Sequence, residues 1–298
     1  NLAGSAITEG ASNILIGRSA GDALTTGNGN VAVGHFALSA EDTYGRNIAI
    51  GAEALKVQNA GSNAYNIAIG YQAGKAISTG TRNTIIGGEA GDALTTGSRN
   101  TVLGYGALTT EDGGSYNVAI GYSALMNLDA GDAYNVAVGY EAGTLVSTGI
   151  QNTLIGGLAG DALTTGGGNT VLGYSALSTE DTGSRNVAIG QEALGALNYD
   201  GEAYNTAVGF AAGKLVSTGI RNTLIGGAAG DALTTGQQNV AIGYEALSGE
   251  DTGSKSIAIG AFALRLQNYD GDAYNVAIGH DAGKAVTSGA NNVLIGGL

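Results

Sequence analysis

The chain has no cysteine and no proline among its 298 residues, a single methionine, Met126, and only two histidines. Without Cys there is no disulfide framework, no thiol nucleophile and no cysteine-held metal. His35 and His280 lie far apart in sequence, so they lend little support to a metal site or a nucleophilic triad. Positive charge is also scarce: 12 Lys and Arg stand against 25 Asp and Glu, a formal net charge of -13. That balance sets the body against nucleic acid and anionic membrane surfaces, which attract an excess of Lys and Arg. No apolar run approaches the roughly 18 residues that a membrane helix needs. Residues 1–10 have neither the basic start nor the apolar core of a signal peptide. These scarcities predict no cofactor, no nucleic-acid partner and no direct membrane insertion.

Glycine, by contrast, is abundant, at 54 residues, yet it does not recur at every third position as a collagen would require. It is instead tied to a repeat. The pentad Asn186-Val187-Ala188-Ile189-Gly190 and its variants occur seventeen times, beginning at Asn13 and ending at Asn292, with Ser256 the one departure from Asn. The spacing is 17 residues in twelve of the sixteen intervals, 18 in one and 19 in three. A fixed period of this size is the signature of a solenoid, in which length counts coils rather than domains. The expectation is one repetitive domain over residues 1–298, all-β, a parallel β-solenoid of about 17 coils. At about 4.8 Å per coil such a body is roughly 80 Å long.

Within the pentad the second residue is Val, Ile or Thr, the third is Ala, Leu, Val or Ile, and the fourth is always Ile, Val or Leu. These are strand formers. Neighbouring residues of a strand point to opposite faces, so an apolar third and fourth residue predict burial on both sides. One side is the solenoid's own interior. The other needs a cover, and with no helical pattern in the chain to supply it, the economical cover is another copy of the chain. A sharp corner inside the pentad, turning both residues toward one interior, is the alternative, and it leaves a monomer. Ala at the third position in ten copies suggests close approach of strands around a symmetry axis.

Gly closes every pentad, as at Gly17, Gly51, Gly87, Gly121, Gly156, Gly190, Gly226 and Gly279, and Ala follows three residues later wherever the chain is long enough to show it. A corner is the natural assignment, with Gly free to take positive φ. The opening Asn, as at Asn13, Asn47, Asn83, Asn117, Asn152, Asn186, Asn222 and Asn275, is expected to stack on its neighbours, its amide hydrogen-bonding along the axis as a structural ladder. Four successive coils differ and then return after 69 or 70 residues. The last pentad is followed by no capping sequence, which predicts an array that continues past Leu298.

Several chemical readings are weaker. Gly156-Gly157-Leu158-Ala159-Gly160-Asp161 resembles a calcium nonapeptide, but that motif must return every nine residues. Asp200 with Glu202, or Asp270 with Asp272, are solvated loop carboxylates that could hold an isolated cation. The paired threonines, such as Thr164 and Thr165, occur in one coil type only and make no continuous ice-binding face. Tyr199, Tyr204, Tyr269 and Tyr274, in or at the end of the long loops, are candidate glycan contacts, since phenol rings cover sugar faces while their hydroxyls hydrogen-bond. They serve equally to pack coils together. No unrepeated carboxylate pair or triad marks a catalytic centre, so an enzyme is not expected.

The Asn-Val-Ala-Ile-Gly-x-x-Ala unit resembles the head repeat of trimeric autotransporter adhesins of the YadA type and related repeats of phage tail fibres. The resemblance covers nearly the whole chain. It implies a left-handed parallel β-roll, intertwined or side by side as a homotrimer, with an adhesive or spacer role at a virion, bacterial cell or other extracellular surface. The implied partners are two further copies and a cell-surface polysaccharide or protein receptor. The coils here are longer than the usual adhesin repeat, and no coiled-coil stalk or membrane anchor is present in the sequence. The reading adopted is a shaft or host-attachment segment of a phage tail fibre, with a bacterial surface adhesin head or another extracellular filament as the alternative.

Overall fold

The computed structural model describes residues 2–297. The chain forms two compact units, Asn1–Ile150 and Gln151–Leu298. The first holds β1 (Ile14–Ile16), β2 (Val31–Val33), β3 (Ile48–Ile50), β4 (Ile67–Ile69), β5 (Thr84–Ile86), β6 (Thr101–Leu103), β7 (Val118–Ile120) and β8 (Val136–Val138). The second holds β9 (Thr153–Ile155), β10 (Thr170–Leu172), β11 (Val187–Ile189), β12 (Thr206–Val208), β13 (Thr223–Ile225), β14 (Val240–Ile242), β15 (Ile257–Ile259), β16 (Val276–Ile278) and β17 (Val293–Ile295). Each unit is a parallel β-solenoid, one three-residue strand to a coil, and no helix occurs among the described residues.

Strand pairing follows the repeat without slippage. Val187, Ala188 and Ile189 sit opposite Thr206, Ala207 and Val208, and the same position-for-position match joins consecutive strands within each unit. The register is fixed at both ends of the strand. The residue after the pentad Asn donates its N–H to the next coil's Asn carbonyl, as from Val187 to Asn205 at 2.8 Å. The corner Gly donates to the preceding coil, as from Gly209 to Ile189 at 2.7 Å. A slip of one residue would turn every interior side chain outward.

The middle strand residue points inward. Ala32, Ile85, Val102, Leu154, Ala188 and Leu224 are all fully buried. Its two neighbours face out, half-buried against their stacked equivalents or exposed, as Ile50, Leu103, Leu172 and Ile225 are. The expected alternation of the third and fourth residues therefore holds. The ten alanines, however, do not line an intermolecular axis: they face each coil's own lumen, where a short side chain leaves room for a larger one from elsewhere.

That larger side chain comes from the neighbouring coils. In one coil of every four, Ala at the strand centre is combined with Gly six residues later, as in Ala68 with Gly74 or Ala207 with Gly213. A Cβ placed on Gly213 would lie 2.5 Å from Leu224 Cδ1 of the following coil and 3.1 Å from Leu194 Cδ2 of the preceding one. At Gly74 the same space is filled by Ile85 and Leu55, and at Gly283 by Leu294 and Leu264. Close packing along the lumen thus requires a set order of large and small coils, which accounts for the 69- to 70-residue rhythm.

The corner glycines are as expected. Gly51, Gly121 and Gly190 have φ of +135°, +138° and +128°, a region closed to L side chains. The Ala three residues on donates back to the Gly carbonyl, as Ala193 to Gly190 at 3.2 Å, and closes the bend. Stacked corners touch, so a Cβ on Gly190 would lie 2.3 Å from the Gly209 carbonyl oxygen. Gly190→Ala is expected to lower unfolding stability by about 3 kcal/mol or more, combining backbone strain with a backbone clash that no rotamer relieves. Chemical denaturation followed by circular dichroism measures it, and an unchanged midpoint would show that the corner is not rigid.

Candidate functional site

The Asn ladder is built differently from a simple amide stack. Asn186 Oδ1 accepts from the backbone N–H of Asn205 at 3.2 Å, and Asn205 Oδ1 from that of Asn222 at 2.9 Å. The amide nitrogen donates to a glycine carbonyl in the loop that closes its own coil, as Asn222 to Gly236 at 2.9 Å and Asn83 to Gly97 at 2.9 Å. Amide-to-amide bonds occur at some rungs, including Asn169 to Asn152 at 3.2 Å. Each buried Asn thus ties the strand entry of its coil to the strand entry of the next and to the loop that closes its own coil, a structural role without reactive chemistry.

A second buried polar group was not anticipated from the sequence. Counting from the pentad Asn as position 1, position 12 holds an apolar lumen residue in most coils, such as Leu94, Val146 or Leu233. In one coil of four it holds a carboxylate: Glu41, Glu111, Glu180 and Glu250, each fully buried. These carboxylates gather backbone N–H groups that the loops leave unpaired. Glu180 accepts from Gly183 at 2.8 Å in its own coil and from Tyr199 at 3.1 Å in the next. Glu111 accepts from Gly114 at 2.6 Å and Ala130 at 3.2 Å. Glu250 accepts from Gly253 at 2.7 Å and from the Gln267 amide at 2.8 Å, and Gln267 in turn binds Asn275. The signal that reveals these residues is alignment on the pentad, which puts them in a slot otherwise apolar.

Burial raises the Glu111 and Glu180 carboxyls above the usual range, opposed by the backbone N–H groups they accept. Glu41 has fewer donors. Its Oε1 accepts from Tyr44 N at 3.2 Å, Oε2 has no hydrogen-bond partner, and desolvation pushes its pKa up to about 7. The folded state therefore holds a proton that the unfolded chain releases near 4.5. Stability from this group is greatest below that lower value and falls as pH rises to about 7, by up to about 3 kcal/mol. Glu41→Gln, an amide already accepted in the same slot at Gln58 and Gln267, is expected to flatten this decline between pH 4.5 and 7. Urea midpoints across that range measure it, and equal slopes for both proteins would mean that Glu41 does not titrate there.

The loop carboxylates are engaged one by one. Asp200 accepts from Thr182 Oγ1 at 2.8 Å, while Glu202 binds Arg185 at 2.7 Å and the Tyr204 hydroxyl. Asp270 accepts from Thr252 at 2.9 Å, and Asp272 pairs with Lys255 at 2.7 Å. The Tyr204 hydroxyl, and then the Arg185 guanidinium, hold Glu202 below the usual carboxylate range, and Lys255 does the same for Asp272. Glu111, Asp112 and Asp129 also come within 4.8 Å of one another, with Glu111 already committed to backbone N–H groups.

Of the candidate glycan contacts, Tyr204 and Tyr274 are exposed beside Arg185 and Lys255, whose cations lie 5.7 and 5.2 Å from the ring centroids. Tyr199 and Tyr269 are half-buried, and their backbone N–H groups donate to Glu180 and Glu250. A separate aromatic row follows the corner Gly. Tyr105, Tyr122 and Tyr140 stack at 5.9 and 5.4 Å on three consecutive coils, all about half exposed. His35 and His280 occupy the same exposed slot in other coils. The surface also has a shallow hollow of about 360 Å³ in the second unit, lined by Ser175, Thr179, Glu192, Lys214 and Leu215 among others.

The strongest surface feature is the outward face of the sheet itself. In each unit it carries two parallel columns of Val, Ile, Leu and Thr with no charged residue in them. No family model matches the chain, and no curated protein or solved structure matches it.

Proposed function

We propose that the chain is a structural segment of a surface fibre, a shaft of a phage tail fibre, in which three copies associate through the outward sheet faces. The observation that carries this reading is the pair of apolar columns on each unit's strands. Contiguous apolar surface of this kind marks an interaction site, and a homo-oligomer covers it with the same surface repeated. Register-locked coils, tied by buried Asn and Glu side chains, suit a rigid spacer more than a mobile catalyst. The exposed tyrosines give such a shaft a means of touching host-surface glycans. A bacterial adhesin head uses the same architecture and is the second reading; it rests on the repeat's resemblance to those heads.

Light scattering of the purified chain is expected to give three times the 29.2 kDa chain mass. The double variant Ile120→Lys with Ile189→Lys, which places a charge on the outward face of each unit, is expected to give a one-chain mass with its β circular dichroism retained. A one-chain mass for the unaltered protein would sink the association.

A further inference from the structure

The slot immediately before each pentad Asn projects outward, and in one stretch of the first unit it is filled in an unusual way. Six successive coils place Arg46, Tyr65, Arg82, Arg99, Tyr116 and Tyr134 there, all exposed except for the faces they turn to one another. Backbone bonds set the register, with Arg82 N donating to Ala64 O at 2.8 Å, Arg99 N to Thr81 O at 3.0 Å and Tyr116 N to Ser98 O at 3.2 Å. Arg46 then stacks on Tyr65, and Arg99, Tyr116 and Tyr134 form a second stack along the axis. The Arg46 guanidinium lies 5.5 Å from the Tyr65 centroid and that of Arg99 5.3 Å from the Tyr116 centroid. Tyr116 and Tyr134 stack at 5.0 Å with planes 7° apart, and Arg99 Nη1 donates to the Tyr116 hydroxyl at 2.7 Å.

The second unit shows what distinguishes this row. There two of the three corresponding cations, Arg185 and Lys255, are neutralised by Glu202 and Asp272 one coil further on, and only Arg221, the equivalent of Arg82, forms no ion pair among the described residues. In the first unit the residue equivalent to Glu202 and Asp272 is Asn63 beside Arg46, and its Oδ1 is used by Gly45 N at 3.2 Å. Where the acid is kept, as Asp132, the cation is replaced by Tyr116. Arg46, Arg82 and Arg99 form no ion pair among the described residues. In a chain of net charge -13, three guanidinium groups in one exposed file have thus been left without carboxylates.

We propose that this row binds a linear acidic polysaccharide, one bearing carboxylates on its sugar rings, lying along the coil axis. A guanidinium resting over a phenol ring is held in place with N–H groups still exposed, Arg99 giving only one of its nitrogens to the Tyr116 hydroxyl, and those groups can meet a carboxylate. Ordering the side chains in advance lowers the entropic cost of binding. The rungs repeat at about 4.8 Å, close to the length of one pyranose unit. An extended peptide presents same-face side chains at about 6.6 Å, and duplex phosphates follow at about 3.4 Å per strand; neither matches. The acidic body also disfavours a phosphate-dense partner, and only three of six rungs are cationic. Rings stacked on one another offer the ligand their hydroxyls and edges, so sugar hydroxyls and carboxylates are read by hydrogen bonds rather than by ring faces.

The proposal goes beyond the structural role, and its test is independent of chain mass. Affinity electrophoresis of the full chain through polygalacturonate, neutral dextran or single-stranded oligo-dT reads it. Polygalacturonate is expected to retard the protein, dextran and oligo-dT not. The triple variant Arg46→Gly, Arg82→Gly and Arg99→Gly is expected to weaken polygalacturonate binding by about tenfold or more. Glycine suits this slot: the three arginines have φ of +64°, +60° and +60°, and Gly29 and Gly168 hold it at +67° and +69°. An unchanged thermal melt of the variant confirms that only the row has been altered. Retardation by dextran or oligo-dT equal to that by polygalacturonate, no retardation by polygalacturonate, or full binding by the variant would each overturn the assignment.

Discussion

Everything in this fold depends on a lumen that receives only a few side chains from each coil. A strand of three residues contributes one inward group, and the bends contribute the rest. With rungs about 4.8 Å apart, a level that holds only Ala and Gly leaves room that the larger side chains above and below reach into. The coils therefore cannot be identical. Leu224 and Leu194 lean into the space left by Ala207 and Gly213, and Ile85 and Leu55 do the same over Ala68 and Gly74. The interior is solved over four coils rather than one, and the loops, which vary with the same period, follow from that solution.

The same economy decides where polar groups go. A coil this small cannot pair all its loop backbone internally, and an unpaired buried N–H costs about 1–3 kcal/mol. The Asn at each strand entry serves the main ladder, and the Glu at position 12 serves the bends where the chain is held by fewer backbone bonds. Glu41 shows the cost of incomplete service: with one oxygen unpartnered, its carboxyl is pushed toward neutrality by burial. Inside, the Asn and Glu side chains are spent on holding each coil closed and on the next. Outside, the sheet faces carry no charge and the arginines of the Arg and Tyr file have no carboxylate partner among the described residues, and the proposed association and glycan contact both rest there.

Much of this was legible in the sequence because the chain supplies its own alignment. Seventeen pentads located the strands, Gly190 and its equivalents located the corners, and alternation across Ala188 and Ile189 gave one inward and one outward face. The destination of the alanines was not legible. A short apolar residue suits a lumen crowded by Leu224 as well as an axis between chains, and only packing distinguishes them. Glu180 carries no local sign of burial, since it stands beside Asp181 in a polar stretch; only its alignment with Leu163 and Leu197 marks it. The Arg and Tyr file was likewise hidden, since its members lie 17 to 19 residues apart and meet only when coils stack.

The order of large and small coils is the claim on which the account stands, and it can be tested without changing composition. Exchanging two lumen residues, Ala207→Leu with Leu224→Ala, keeps volume and hydrophobicity constant but crowds Leu194 and empties the space inside the following coil. The account predicts a loss of about 2–5 kcal/mol in urea unfolding, the range for a cavity in a close-packed interior. An unfolding midpoint equal to that of the unaltered chain would contradict it.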